Sequence, residues 1–492
     1  LLMKKKKRGM AIAASSVLAM SLLGFSTSVH TSASTQTVSK NYLIAYSQSL
    51  PKNYLAEIKN AGGEVLKALP EIGGVEVRST NPNFLSQLKS SGTIVAANVE
   101  KFHKLDDEQP AGSDGLPVTL TLDADGTFWS SQWDIRHLTN EGKSFAIEKG
   151  GNGTTHKAVV GVIDTGIDFN HPDLKANFLG GQNMVPAGGY TGNDSSETGD
   201  KTDVKDRAGH GTHVAGSIAG NGKIKGVGPG LGIRSYRVFA ATGGAPTGPI
   251  VGGIIAAAND KVDVINMSIG GFDNLKYYYN GTRYNDIADV LLWKRAIKYA
   301  VNKNVTVVTS AGNESLNYAD KKSLTDYMNA AYGDANLVFT GVAIETPGGL
   351  PGVITVSSSN KWSTDQLAFY SNYGNSFIDV AAPGGDNGPD YVATGDLNKR
   401  DFTYRALSTW PTYLDPYFTM DTNEGYAYLH GTSMASPKVA GIAGVIKAAH
   451  PNYTPAQVEA LIEKTALDYG KKGHDELFGS GEANAYTALT GK

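Results

Sequence analysis

"KAVVGVIDTGID", residues 157–168, decides the fold. Its first part is an apolar, β-branched run that does not alternate with polar residues. A strand buried on one face alternates, so a continuous apolar run predicts burial on both faces. Comparable runs follow in "IRSYRVF" (233–239), "VDVINMS" (262–268), "NVTVVTS" (from Asn304) and "GVITVSS" (352–358). Helical patterns lie between them at 209–220, 249–259 and 289–302. The alternation predicts an α/β domain with a mostly parallel central sheet covered by helices on both faces. Ligands of such sheets bind outside the carboxyl ends of the strands. Asp164 closes its run at such an end, where a buried carboxylate needs a hydrogen-bonding partner. That partner is either a second functional group or the backbone of its own turn.

The chain has 492 residues, a formal net charge of −3 and no cysteine. Outside its first residues it carries no basic stripe, which excludes nucleic acid as a partner. Without Cys there is no disulfide, no thiol nucleophile and no thiolate metal site. Residues 1–33 read as a signal peptide: a basic segment, "MKKKKRGM", precedes the apolar "AIAASSVLAMSLLGF". That core of about 15 residues is shorter than the roughly 20 that span a bilayer. The expectation is a secreted, extracellular protein, exported from a bacterium, with no membrane anchor in its mature form. Residues 34–105 read as β-α-β-β-α-β, a small α+β ferredoxin-like unit. Residues 106–127, opening with the acidic "DDEQPAGSDGLP", read as a linker, and the large domain is expected over 128–492.

Two further segments carry candidate chemistry. In "AGHGTHVAGSIAG" (208–220), His210 lies between glycines at a helix start, where it is exposed to a cleft as a base. His213 is one turn on. The pair lacks the intervening Glu of a zinc-peptidase helix, so His213 reads as a packing or structural residue. The third segment is "YLHGTSMASPKVAGIAGVIKAAH" (428–450), a helix of small residues with three hydroxyls near its start, Thr432, Ser433 and Ser436. Close packing accounts for the small residues. Pro437, tolerated near a helix start, places Ser433 at or just before the N-terminus. There the unsatisfied N–H groups and the helix dipole favour a developing negative charge.

"DTGID..HPDL", "HGTHVAG" and "GTSMASP" resemble the three catalytic motifs of the subtilisin family of serine peptidases, in that family's order, over residues 128–489. The resemblance implies a subtilisin-like three-layer domain with Ser433 as nucleophile, His210 as general base and Asp164 orienting it. It implies that Asn313 of "VVTSAGNES" donates to the oxyanion, although a turn after Gly312 also explains an Asn there. It implies that Ser268, Ile269 and Gly270 of "NMSIGG" pair with an extended peptide substrate. Glu314, directly after Asn313 in the chain, is expected near the primary pocket, where it favours Lys or Arg. Residues 34–105 then become an inhibitory, folding-assisting pro-domain, with the maturation site in its last segment or the linker, and the enzyme is expected to be a monomer. No cofactor is needed for catalysis and no catalytic metal is expected. Asp173 of "HPDL" matches a calcium ligand of the family, but the abrupt "AGNGKIKGVGPG" (219–230) lacks the loop that completes that site, so structural calcium is not supported.

"KGVGPG", "YRVF" and "GNESLNYADKKSLTDYM" further resemble the leader-processing subtilases that mature lantibiotic peptides. The alternatives are a general degradative extracellular subtilase and a non-catalytic peptide-binding module on the same fold. Two aromatic-rich insertions, at 271–286 and within 385–425, either line the groove or pack on the surface.

Overall fold

The computed structural model describes residues 39–88, 92–105, 120–415 and 425–491. The signal peptide and residues 106–119 of the linker lie outside the described residues. Lys40–Tyr46, Gly63–Leu69, Gly74–Ser79 and Ile94–Val99 form a four-stranded antiparallel sheet in which Gly74–Ser79 and Lys40–Tyr46 are central. Helices Tyr54–Asn60 and Phe84–Leu88 supply Ile58 and Phe84 to one face, against Tyr42, Ile44 and Val77. The other face alternates Leu43, Ala45 and Leu69 outward, and these join the core of the large domain. The expected last strand, "TIVAANVEKF", divides: Ile94–Val99 stays in the sheet, while Phe102–Lys104 leaves it and pairs antiparallel with Gly244–Pro246.

Seven parallel strands make the large sheet. Their order is Phe178–Asn183, Gly232–Arg237, Val159–Asp164, Val264–Met267, Thr306–Ser310, Ile354–Ser359 and Val380–Pro383. Val159–Asp164 is an interior strand, and its neighbours come from later parts of the chain on either side. The sheet's carboxyl edge therefore opens beside Asp164. Helices His210–Ala219 and Thr432–Ala449 cover one face and Thr247–Asn259 and Ile287–Asn302 the other. The small residues of Thr432–Ala449 bring it close to its neighbours: a Cβ on Gly444 would lie 2.7 Å from Leu231 Cδ1. Near the carboxyl end, Thr454 caps helix Pro455–Thr465, and Gln457 completes a capping box.

Leu120 is buried in one cluster with Phe128, Tyr426 and Tyr428 of the large domain. The first insertion builds its own layer: 277–279 pairs with 282–284 and 337–339, and Phe272, Met328 and Phe339 form a local cluster. Among the described residues no helix is long and apolar enough to cross a membrane.

Candidate active site

Asp164 ends the interior strand Val159–Asp164 and is 1 % exposed. Its Oδ1 accepts the Thr165 N–H at 2.7 Å and the His210 Nδ1–H at 2.8 Å. The buried carboxylate thus holds the ring in the tautomer that leaves Nε2 as the acceptor. His210 is the first residue of its helix, and Gly209 before it has φ of +96°. A side chain there would be strained in backbone and would also meet Trp410, whose ring lies 2.2 Å from the position of a Cβ.

Asp206 organises this turn, and nothing local in the sequence marks it. Its buried carboxylate accepts from Thr165 Oγ1, from the N–H groups of Ala208 and Gly209, and from both N–H and Oγ1 of Thr212. These bonds satisfy the open end of the His210 helix. Thr165 Oγ1 in turn accepts the Gly211 N–H at 2.8 Å, joining the Asp164 turn to the His210 helix. The second aromatic insertion supports the same loop, since the Tyr413 hydroxyl donates to Asp206 O at 2.8 Å. Its residues 416–424 lie outside the described residues. His213 points away from this cluster, into the interior. Its Nε2 lies 3.1 Å from Ala427 O, and burial, with Lys438 nearby, pushes it down to about 3. It is a neutral structural residue.

Ser433 is the second residue of helix Thr432–Ala449, and its Oγ lies 3.4 Å from Ser268 O. Ser268 directly follows the strand beside Asp164, so the Ser433 turn and the Asp164–His210 pair stand at the carboxyl edges of adjacent strands. Pro437 is not at the helix start as its residue type predicts; it lies inside the helix, a full turn past Ser433. Pro has no N–H, so it leaves the Ser433 carbonyl without its helical partner. The Ser268 hydroxyl donates to that carbonyl at 2.8 Å and so permits a proline there. Ser436, buried one turn in, shares a 3.0 Å hydrogen bond with the same Ser268 hydroxyl.

Asn313 has its side chain locked by Thr432. Asn313 Oδ1 accepts both the N–H and the Oγ1–H of Thr432 at 2.9 Å, and Thr432 Oγ1 accepts the Gly312 N–H at 3.2 Å. With its oxygen held twice, the amide presents Nδ2 in the opposite direction. Thr432, one of three candidate hydroxyls in the sequence, is thus a positioning group.

Gly270 and Gly312 are near neighbours across a slot: a Cβ on Gly270 would lie 3.0 Å from Glu345 Oε1 and 3.7 Å from Gly312 Cα. Glu314 Oε2 is 2.8 Å from the Cβ position of Gly312. Asn372 holds Glu314, donating from Nδ2 to its carboxylate while its Oδ1 accepts the Glu314 N–H. Glu345 is buried, and that burial, reinforced by Glu314, raises its carboxyl well above the usual range. The carbonyl of Ile269 accepts from Thr309 Oγ1 and Ser310 Oγ, which fixes the strand end carrying the slot. Glu345 had no signal in the sequence.

The calcium position is built differently. Asp173 Oδ2 accepts the Ile224 N–H at 3.0 Å and the Tyr426 O–H at 3.1 Å. Donors, not further oxygens, converge on this carboxylate, and a calcium ion does not fit it. Among the described residues one carboxylate group could gather a cation: Asp379, just before strand Val380–Pro383, with Glu459 and Glu463 of helix Pro455–Thr465. None of them belongs to the cluster around Ser433.

A hydroxyl at a helix start, an imidazole oriented by a buried carboxylate and a locked amide form a set suited to acyl transfer. Comparison with known proteins agrees with that chemistry. The family model described as "Subtilase family" matches residues 155–481. The chain is 29 % identical, over 91 % of its length and 92 % of the relative's, to an epidermin leader peptide-processing serine protease of Staphylococcus epidermidis. It is 32 % identical over 68 % of its length to the nisin leader peptide-processing serine protease of Lactococcus lactis, of which it spans 46 %. The crystal structure of an epidermin leader peptide processing serine protease from Staphylococcus aureus superimposes with a TM-score of 0.72 at 28 % identity, covering 92 % of this chain and 98 % of that one.

Proposed function

Because the chain belongs to the subtilase family of serine endopeptidases, we propose that Ser433, His210 and Asp164 carry out its peptide hydrolysis. His210 Nε2 takes the Ser433 hydroxyl proton as Oγ attacks the scissile carbonyl. Asp164 supports the imidazolium, and Asn313 Nδ2 and the Ser433 N–H receive the oxyanion. The amine leaves with the proton from His210, and water then releases the acyl group from Ser433. The observation that carries this reading is the 2.8 Å contact of His210 Nδ1 with buried Asp164.

The primary pocket is the slot between Gly270 and Gly312. Glu314 borders it, backed by the buried Glu345 whose acidity is weakened, and the negative charge of this pair favours Lys or Arg before the scissile bond. Substrate enters as an added strand along Ser268, Ile269 and Gly270. Residues 34–105 act as the pro-domain, and the pairing of Phe102–Lys104 with Gly244–Pro246 supports an inhibitory path along the groove. We read the protein as a secreted, self-processed zymogen that matures a peptide precursor. The names of the leader-processing relatives support the substrate class; a general degradative protease is the second reading.

Two measurements test this. Ser433→Ala should yield an unprocessed, inactive precursor, and autonomous processing of that variant would refute the assignment. Cleavage of a diverse peptide library by the matured enzyme should show a sharp Lys or Arg preference. A flat profile would favour general degradation.

A further inference from the structure

Residues 101–105 lie on the large domain as an added strand. Phe102–Lys104 pair with Gly244–Pro246, the Thr247 N–H donates to Lys101 O at 3.2 Å, and the Leu105 N–H donates to Gly243 O at 3.0 Å. Strand alternation sends Lys101 and His103 to the same side, toward the domain, while Phe102 and Lys104 are exposed.

On that side they meet carboxylates. Thr247 Oγ1 donates to Asp289 Oδ1 at 2.6 Å, so its lone pair is what receives the His103 Nε2–H at 2.9 Å. The Lys101 N–H and Asn98 Nδ2 also donate to Asp289. Lys101 Nζ lies 3.7 Å from Asp273 Oδ1, and Asp286 caps the same region with a bond from the Asn274 N–H. All three aspartates are buried. Burial raises each of them, and repulsion from Asp273 adds to it at the other two, taking Asp286 to about 7 and Asp289 to about 8. Lys101, His103 and Asn98, which face them, all belong to the N-terminal unit. The carboxylates belong to the large domain and stay behind when that unit leaves. The strip is continuous with the groove, because Asp273 follows Gly270 and Gly271, and the Thr346 N–H ties Gly271 O at 2.8 Å.

We propose that departure of the N-terminal unit uncovers an acidic recognition strip, Asp273, Asp286 and Asp289 behind Thr247. It selects substrates with basic or N–H-bearing side chains at the two positions that replace Lys101 and His103. This rests on the peptidase reading above. Once uncovered, the carboxylates regain water and ionise at neutral pH. A Lys, Arg or His side chain opposite Ala245 or Thr247 compensates their charge, an acidic one is repelled, and an apolar one desolvates them while leaving only the neutral donors Thr247, Asn274 and Thr346.

The test uses the matured enzyme and a peptide library varied one position at a time. Lys, Arg or His should be preferred by roughly tenfold over Leu and Glu at one or both of two upstream positions spaced two residues apart. Asp289→Asn and Asp273→Asn should each weaken that preference and leave the preference next to the scissile bond intact. Thr247→Val, which keeps the side-chain shape, should weaken it opposite Ala245 alone. An apolar or acidic preference at those positions, or a basic preference unchanged in all three variants, would overturn the proposal while leaving the peptidase reading standing. An enzyme that cleaves no peptide overturns both.

Discussion

Replacing Thr432 by Val keeps the shape and the backbone N–H of the residue and removes one hydroxyl. That hydroxyl donates to Asn313 Oδ1 at 2.9 Å and accepts the Gly312 N–H at 3.2 Å. Asn313 then keeps one of its two anchors from Thr432. A lost neutral hydrogen bond is worth about 1 kcal/mol. Transferred to the orientation of an oxyanion donor, this corresponds to a roughly fivefold fall in kcat. Removing the donor altogether, in Asn313→Ala, should cost ~3 kcal/mol, on the order of a hundredfold. The assay is steady-state hydrolysis of a peptide substrate by Thr432→Val, Asn313→Ala and the double variant. In the Asn313→Ala background the Thr432 substitution should change kcat by less than about twofold, because the group it positions is gone. KM should hold throughout, and Thr432→Ser should restore kcat. An equal fall in kcat in both backgrounds would refute the reasoning, since Thr432 would then act on something other than Asn313.

Asp206→Ala strips the partner from five N–H and O–H donors around the His210 turn. It should destabilise the domain by about 3–5 kcal/mol in a denaturant titration and abolish activity; a loss under about 1 kcal/mol would show the turn holds without it. The N-terminal unit should bind more weakly as pH rises. Asp286 and Asp289 are raised in the covered state, to about 7 and about 8. Their contribution to association is therefore full below the ordinary carboxylate value of about 4 and is lost as pH rises through about 7–8. Above about pH 6.5, processed precursor should release active enzyme faster as pH rises, and Asp289→Asn should flatten that dependence; slower release over that range would contradict it. Below it, His103 of the unit, pushed down to about 3 by burial, works in the opposite direction. Tyr426→Phe takes the O–H donor from Asp173 and should lower stability by about 1 kcal/mol. The loss should be the same with and without a calcium chelator, measured by thermal unfolding.

Order along the chain, matched to the three motifs of the subtilisin family, singled out Asp164, His210 and Ser433 as candidates. Each sits where a local rule puts it: a carboxylate at the end of an apolar run, and an imidazole and a hydroxyl at helix starts. The parallel sheet and the ferredoxin-like unit were legible for the same reason, because period and punctuation act within a few residues. Pro437 shows where such a rule stops. Its position inside the helix depends on the Ser268 hydroxyl, which the chain brings to the Ser433 carbonyl from another strand.

The rest was decided by partners far apart in the chain. Thr432 meets Asn313, Asp206 meets Thr165, and Glu345 meets the Gly270 slot only after seven strands have stacked in order. The second insertion likewise reads as a loop of aromatics until Trp410 and Tyr413 are found against the His210 turn. A sequence determines by itself what short-range propensity and backbone sterics dictate, which here includes most of the elements and the local placement of the candidate groups. The orientation of those groups depends on hydrogen bonds and packed charges between distant segments, and only the tertiary structure brings these together.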